Sequence, residues 1–353
     1  MADIFRRALA EVAAVFGLGP SESAYRVIAS GPYWRLRDYG SRPISPSLLI
    51  VAAPIKRPYV WDLAPSVSAI DYCLRAGLGV YLLEWLPASR DTGSTGLYEC
   101  ALAISDCIAK VTAEGEGAKP FLIGHSLGGT LAAISAATAP STIGGLVLLE
   151  APLCFQPGQS QFRDALVSLL PLNLSDADPV PGSLLSLVSA VASPSTFIWS
   201  RLTESASNLA DRWAIEINAR IERWTLDEIA LPGKLVHQIV EWLYRENRLC
   251  RGVLKIGDTP VNPSSLSAPT LAIVNIADEI APLAAIKPFT DAMPTHNVRI
   301  VEYRGETGLG LQHLGILVGR EARMKIWPDI VAWLKSRTST EAIAEGIPAF
   351  SVR

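Results

Sequence analysis

The chain has few histidines, few cysteines and no long run of basic residues, and each shortage closes off a class of function. Its 353 residues carry 31 Lys and Arg against 34 Asp and Glu, a net charge of −3. Nucleic-acid binding therefore has no electrostatic footprint. The five cysteines, Cys73, Cys100, Cys107, Cys154 and Cys250, are odd in number and widely scattered. None forms a CxxC pair or joins histidines at zinc-binding spacing, so no metal site is expected. Reduced, mostly buried thiols in a cytoplasmic protein are the simplest expectation. No cofactor is implied. No apolar stretch is long enough to span a bilayer, and no internal repeat is found.

The opening "MADIFRRALAEVAAVFGLGPSES" resembles a signal peptide only superficially, because Asp3 and Glu11 interrupt it. Apolar residues at 4, 5, 8, 9, 12 and 15 instead predict a short amphipathic helix ending near Gly17 to Pro20. A soluble protein is expected.

What is present is a globular composition, 49% hydrophobic and 18% charged. From about residue 46, apolar runs alternate with helical spacing. Strands are predicted at "SLLIVAAP" (47–54), "LGVYLLEWLP" (78–87), "KPFLIGHS" and "IGGLVLLEAP" (143–152). Helices are predicted at "SAIDYCLRAG" (68–77), "LYECALAISDCIAKVTAEG" (97–115) and "LGGTLAAISAATAP". Fully apolar strands between helices imply a mainly parallel sheet covered on both faces, the α/β class.

Between about 154 and 250 the strand runs stop and helical segments take over. Leu209, Trp213, Ile217 and Ile221 fall on one helical face. Trp199, Trp213, Trp224 and Trp242 all lie in this insertion. Most are expected to pack the insertion onto the core, with one or two lining a pocket. Alternation resumes with strands at "APTLAIVNIADE" (268–279) and "NVRIVEYRG" (297–305), then a closing helix at 320–337. The expected organisation is an N-terminal helical segment (1–45), a core in two parts (46–153 and 251–338), a helical cap (154–250) and a tail (339–353).

Gly124-His125-Ser126-Leu127-Gly128 matches G-x-S-x-G, between a predicted strand and a predicted helix. A nucleophile on so tight a turn needs glycines two residues either side, where side chains would collide. The helix start also turns free N–H groups toward developing negative charge. Ser126 is thus the expected nucleophile.

A serine hydroxyl needs a base, and the chain offers four histidines. His125 is expected to point away from its neighbour. His237 falls inside the cap, and His296 precedes a strand, at the wrong end of the sheet. His313, in the glycine-rich "GETGLGLQHLGIL", follows the last predicted strand, on the edge where Ser126 also lies. The orienting acid is expected after the penultimate strand, at Asp278, with Glu279 as the fallback. The order Ser126, Asp278, His313 is that of α/β hydrolases. The oxyanion donors are expected to be the N–H groups of Leu127 and of Ile55, the first residue past Pro54 able to donate.

Four stretches carry a further likeness. They are "APIKRPYVWDLAPSVSAIDYCLRAGLGVYLLEW", "FLIGHSLGGTLAA", "RWTLDEIALPGKLVHQIVEWLYRENRLCRGVLKIGDTPVN" and "SAPTLAIVNIADEIAP". Through them the chain resembles the polyhydroxyalkanoate synthase (PhaC) family within the α/β-hydrolase fold. The resemblance implies acyl transfer from a coenzyme A thioester to a growing polyester, by a Cys-Asp-His triad that maps onto Ser126, Asp278 and His313. Two departures stand out. Serine replaces the family's cysteine, and Leu311-Gln312-His313 stands where the family has Ser-Gly-His.

An acyl group on serine is an oxygen ester that water attacks unless it is excluded. The expectation is therefore an esterase or thioesterase acting on (hydroxy)acyl esters or on acyl thioesters of CoA or a carrier protein. The alternatives are a synthase-type acyltransferase to an alcohol, amine or polymer end, and a non-catalytic synthase-like binding subunit. A homodimer is the candidate assembly.

Overall fold

The protein is described by a computed structural model covering residues 2–40, 46–170, 176, 178–199, 211–294 and 298–344. Among these residues the strands are β1 (Arg26–Gly31), β2 (Trp34–Asp38), β3 (Ser47–Val51), β4 (Gly79–Trp85) and β5 (Phe121–His125). They continue with β6 (Gly145–Leu149), β7 (Leu254–Ile256), β8 (Thr259–Val261), β9 (Thr270–Asn275) and β10 (Val298–Tyr303). Eight form one sheet in the order β1-β2-β4-β3-β5-β6-β9-β10, while β7 and β8 pair separately as a small hairpin. From β4 to β10 every pairing is parallel, and β1, β2 and β4 pair antiparallel.

The central strands are apolar at every position because both faces are covered. Each residue of β3, β4, β5 and β6 is buried. One face carries α3 (Leu97–Glu114) and α4 (Leu127–Thr138), packed on Leu49, Leu122 and Leu148. Helix α4 is apolar nearly all round, as a helix wedged between a sheet and its neighbours must be. The other face, with Ile50, Ile123 and Val147, meets α2 (Ala69–Arg75) and the closing helix, Trp327–Ala344. That helix runs on to Ala344, so the tail expected from 339 begins as helix.

The expected N-terminal helical segment is only partly helical. Helix α1 (Ala2–Ala13) forms, but β1 and β2 follow it within the same stretch. No residue of β1 is fully buried, and β2 buries Arg37 and Asp38 beside Leu36, so neither strand shows a long apolar run. Arg37, nearly buried, donates to the buried Glu84 carboxylate on β4 at 2.6 Å, and Arg35 joins it at 2.5 Å.

Between β6 and β7 the described elements are helical: α5 (Gln161–Leu169), α6 (Gly182–Ala192), α7 (Arg212–Thr225) and α8 (Gly233–Gln238). Helix α6, "GSLLSLVSAVA", was not foreseen. On the expected face Ile217 and Ile221 are buried and Trp213 is half-buried, while Leu209 lies outside the described residues. The cysteine expectation is corrected here. Cys154 and Cys250 form a disulfide across 96 residues, and Cys73, Cys100 and Cys107 are the buried free thiols. The chain leaves the core at Cys154 and returns at Cys250 side by side, and Phe155 N–H also donates to the Asn247 side chain at 2.8 Å. Among the described residues, no helix is long and apolar enough to cross a membrane.

Candidate active site

Ser126 sits where β5 breaks into α4, with φ 53° and ψ −132°. A non-glycine residue holds this left-handed φ only when its surroundings over-determine it. The glycines explain how. A Cβ on Gly124 would lie 2.5 Å from Gly129 N, and one on Gly128 would lie 2.3 Å from the Val51 carbonyl. The backbone of the turn is therefore packed directly on itself and on the end of β3. Ser126 N–H donates to the Leu149 carbonyl at 3.0 Å, fixing the turn to β6.

Parallel strands bring their carboxyl ends to one edge. Asp278 follows β9, and His313 follows β10 in a short helical turn, Gln312–Leu314. His313 Nδ1 and Asp278 Oδ2 are hydrogen-bonded at 2.7 Å, both residues buried. The carboxylate also accepts the N–H groups of Ile280 (2.9 Å) and Ala281 (3.2 Å), so the aspartate is anchored by its own loop. His313 Nε2 is buried and has no hydrogen-bond partner among the described residues. Ser126, Leu127, Ile55 and His313 all line one cavity of about 430 Å³. The sequence-derived candidates thus converge on one site. Glu279, the fallback acid, is not paired with the histidine; its carboxylate accepts hydroxyls from the cap.

The other histidines divide as follows. His125 is buried, and its Nε2 meets the His313 carbonyl oxygen at 2.6 Å. Burial above all, with the neighbouring His313 second, pushes its pKa well below the ordinary imidazole value. It therefore holds the histidine loop as a neutral donor. His237 is half-buried on α8 and is not among the residues lining the cavity. His296 lies outside the described residues.

Three residues of the site were not anticipated. Glu150, after β6, is fully buried at φ 47° and accepts the Tyr303 hydroxyl at 2.8 Å. Its second oxygen has no hydrogen-bond partner among the described residues and stands 3.7 Å from His313 Nδ1. Burial foremost, then the charge of Asp278, pushes its pKa well above the usual carboxylate range, and the Tyr303 bond only partly opposes this. Gln312, the departure beside His313, clamps the glycine-rich loop: it donates to the Glu306 and Leu309 carbonyls and accepts the Glu306 N–H. Ala53 also lines the cavity, and its backbone N lies 2.9 Å from the point a Gly128 Cβ would occupy, beside the turn.

Among the described residues, His125, Glu150 and His313 bring ligand-type atoms within 4.8 Å of one another. The nitrogens nearest Glu150 are already engaged, His313 Nδ1 by Asp278 and His125 Nε2 by the His313 carbonyl. The cluster fits a hydrogen-bonded network better than a metal centre.

The cap lines the cavity with largely apolar side chains, among them Leu166, Leu185, Phe197, Trp224, Val236 and Tyr244. Of the cap tryptophans whose side chains are described, Trp213, Trp224 and Trp242, it is Trp224 that reaches the cavity, while the side chain of Trp199 lies outside the description. Trp213 stacks under Arg320 at 3.9 Å, and Trp242 lies under Arg248 at 4.7 Å.

A strand-turn-helix serine, an acid after β9 and a histidine after β10 on such a sheet define the class. Residues 61–302 match the family model described as alpha/beta hydrolase fold, and the chain belongs to that family. Within it, the chain is similar to the poly(3-hydroxyalkanoate) polymerase subunit PhaC of Haloferax mediterranei, 29% identical over 303 residues. That match covers 83% of this chain and 59% of the relative, so the chain spans about three fifths of that protein's length. The subunit of the same name from Synechocystis sp. is 25% identical over 332 residues, covering 91% and 85%. Among solved structures, a putative lipase from Sulfolobus solfataricus superposes with a TM-score of 0.58 at 16% identity, over 89% of this chain and 93% of that one. That last likeness is one of fold.

Proposed function

We propose that the protein is a serine-dependent acyl-transfer enzyme working through an acyl-Ser126 intermediate, and that water is its principal acceptor. The observation that carries this reading is the His313 Nδ1–Asp278 pair at 2.7 Å, with Nε2 lacking a hydrogen-bond partner among the described residues and His313 lining the cavity that Ser126 also lines. In this reading His313 Nε2 takes the Ser126 proton as Oγ attacks the acyl carbonyl, and Asp278 holds the imidazole and balances its charge. The N–H of Leu127, with that of Ile55 or Ala53, stabilises the oxyanion. The acyl–sulfur or acyl–oxygen bond then breaks, and the leaving group departs with the proton from His313. Water next gives a proton to His313 and attacks the acyl-serine. The acyl–Oγ bond breaks, Oγ regains its proton, and the free acid leaves.

The cavity supports the choice of substrate class. An apolar pocket of about 430 Å³ suits an acyl chain, supplied as a (hydroxy)acyl ester or as a thioester of CoA or a carrier protein. CoA chemistry would place the protein in the cytoplasm, and a homodimer is part of the proposal. The second reading, transfer to an alcohol, amine or polyester end, is favoured by the similarity to polymerase subunits. Offering 3-hydroxyacyl-CoA and p-nitrophenyl esters separates the two. Free acid is expected as the main product. Polymer or transferred acyl as the main product would select the second reading, and no turnover or acylation at all would leave a binding subunit.

A further inference from the structure

Beside the acid of the site stands a residue with a different occupation. Glu279 Oε2 accepts the hydroxyls of two cap residues, Thr196 at 2.5 Å and Ser195 at 2.9 Å, and the Ser193 hydroxyl, 3.4 Å from the same oxygen, donates to Thr196 Oγ1 at 2.7 Å and backs the contact. Its backbone carbonyl accepts the Ser160 hydroxyl at 3.1 Å, and the same hydroxyl caps the first turn of α5. Two separate cap segments are therefore docked on one residue of the core.

Each segment delivers side chains to the cavity. Phe197 and Ile198 follow directly on the hydroxyl triplet and line the cavity, as does Phe162 from α5, whose ring lies 5.9 Å from that of Phe197. Ile280, the next residue after Glu279, lines it from the core side. A single loop, 278–281, thus anchors the acid that orients His313 and the carboxylate that orients the cap.

We infer that Glu279 is a positioning residue that latches the cap over the acyl cavity, and so sets which acyl chains are held and how far water is kept from the acyl-serine. Phe197 and Ile198 are carried by a short segment that Glu279 holds at its base. Without the latch, those side chains lose their fixed place over the chain, and water reaches the ester more easily. Hydrogen bonds to a carboxylate are stronger than neutral ones, so removing two of them is expected to be visible at substrate level.

The inference rests on the acyl-Ser126 reading, and the test keeps the two apart. Wild type, Glu279→Ala, Glu279→Gln and Thr196→Val are compared with p-nitrophenyl acetate and decanoate, with and without added butanol as acceptor. Glu279→Ala is expected to raise KM for decanoate about tenfold, to affect acetate much less, and to raise the ratio of hydrolysis to butanol transfer. Glu279→Gln, whose amide oxygen still accepts hydroxyls, is expected to restore both. Thr196→Val, which removes one donor from the cap side, moves both in the direction of Ala. Equal changes for acetate and decanoate, or a fall in kcat alone that Gln does not rescue, would overturn the latch and assign Glu279 to support of the Asp278 loop. No change in any variant would overturn it too. Decanoic acid binding, measured without turnover, provides the separation. If wild type binds the acid and Glu279→Ala binds it equally well, the latch fails. If wild type binds it but never acylates, the acyl-Ser126 reading fails instead.

Discussion

A hydroxyl and a thiol on the same turn need different help before they attack. A thiol near neutral pH supplies some thiolate unaided, whereas a serine depends on its base for the whole of its activation. Ser126→Ala is therefore expected to lower kcat by about 10⁴ to 10⁶ with the fold intact, and His313→Ala to cost nearly as much, because the residues act as a unit. Circular dichroism and ester hydrolysis on the same preparations check this. Glu150 supports a prediction of another kind. Its pKa in the folded protein is raised above its ordinary value of 4.5, chiefly by burial. Such a group contributes stability that is complete below its unfolded pKa and is lost as pH rises through the folded one. Glu150→Gln cannot ionise, so its Tm is expected to gain on wild type progressively as pH is raised above 4.5. His125 has the opposite sign, since its depressed pKa removes stability as pH falls, but it is common to both proteins and cancels in the comparison. A Tm difference that stays constant with pH would contradict the account of Glu150.

Elements carrying a long apolar run were legible in the sequence, and β1 and β2, which carry none, were not. Strands β3, β5 and β6 are buried throughout and read as apolar runs. Strand β2 buries Arg37 and Asp38, and its partner is a glutamate 47 residues further on, a relation that no local pattern displays. Breaking a buried pair from one side leaves a charge uncompensated, at a cost of about 3–5 kcal/mol. Arg35 still reaches Glu84, so Arg37→Met is expected near the lower end of that range, measured as a fall in denaturant midpoint. The Cys154–Cys250 pair was hidden in the same way, because its partners stand 96 residues apart. Chain-entropy arguments give about 4–5 kcal/mol for so long a loop, and native disulfides commonly deliver 2–5. The double variant Cys154→Ser/Cys250→Ser is accordingly expected to melt well below wild type. Equal melting temperatures would mean that the bond contributes nothing to stability.

At the scale of the molecule, the sheet topology assembles the site from pieces far apart in sequence. Each of Ser126, Asp278 and His313 could be proposed because it follows a strand on the edge where parallel strands end. What the sequence withheld is what depends on long-range placement: Glu150 behind the histidine, the Gln312 clamp and the attachment of the cap through Glu279. These contacts form between loops whose spacing only the folded chain determines. In the proposed mechanism they would decide how dry the acyl-serine stays, and hence which acceptor is served. The central claim, that Ser126 is a nucleophile activated by His313, is tested most directly by labelling with a fluorophosphonate probe and mapping the adduct by mass spectrometry. A single adduct on Ser126 is expected in wild type, absent in Ser126→Ala and strongly slowed in His313→Ala. No adduct on folded wild-type protein, or the same labelling in Ser126→Ala, would contradict it.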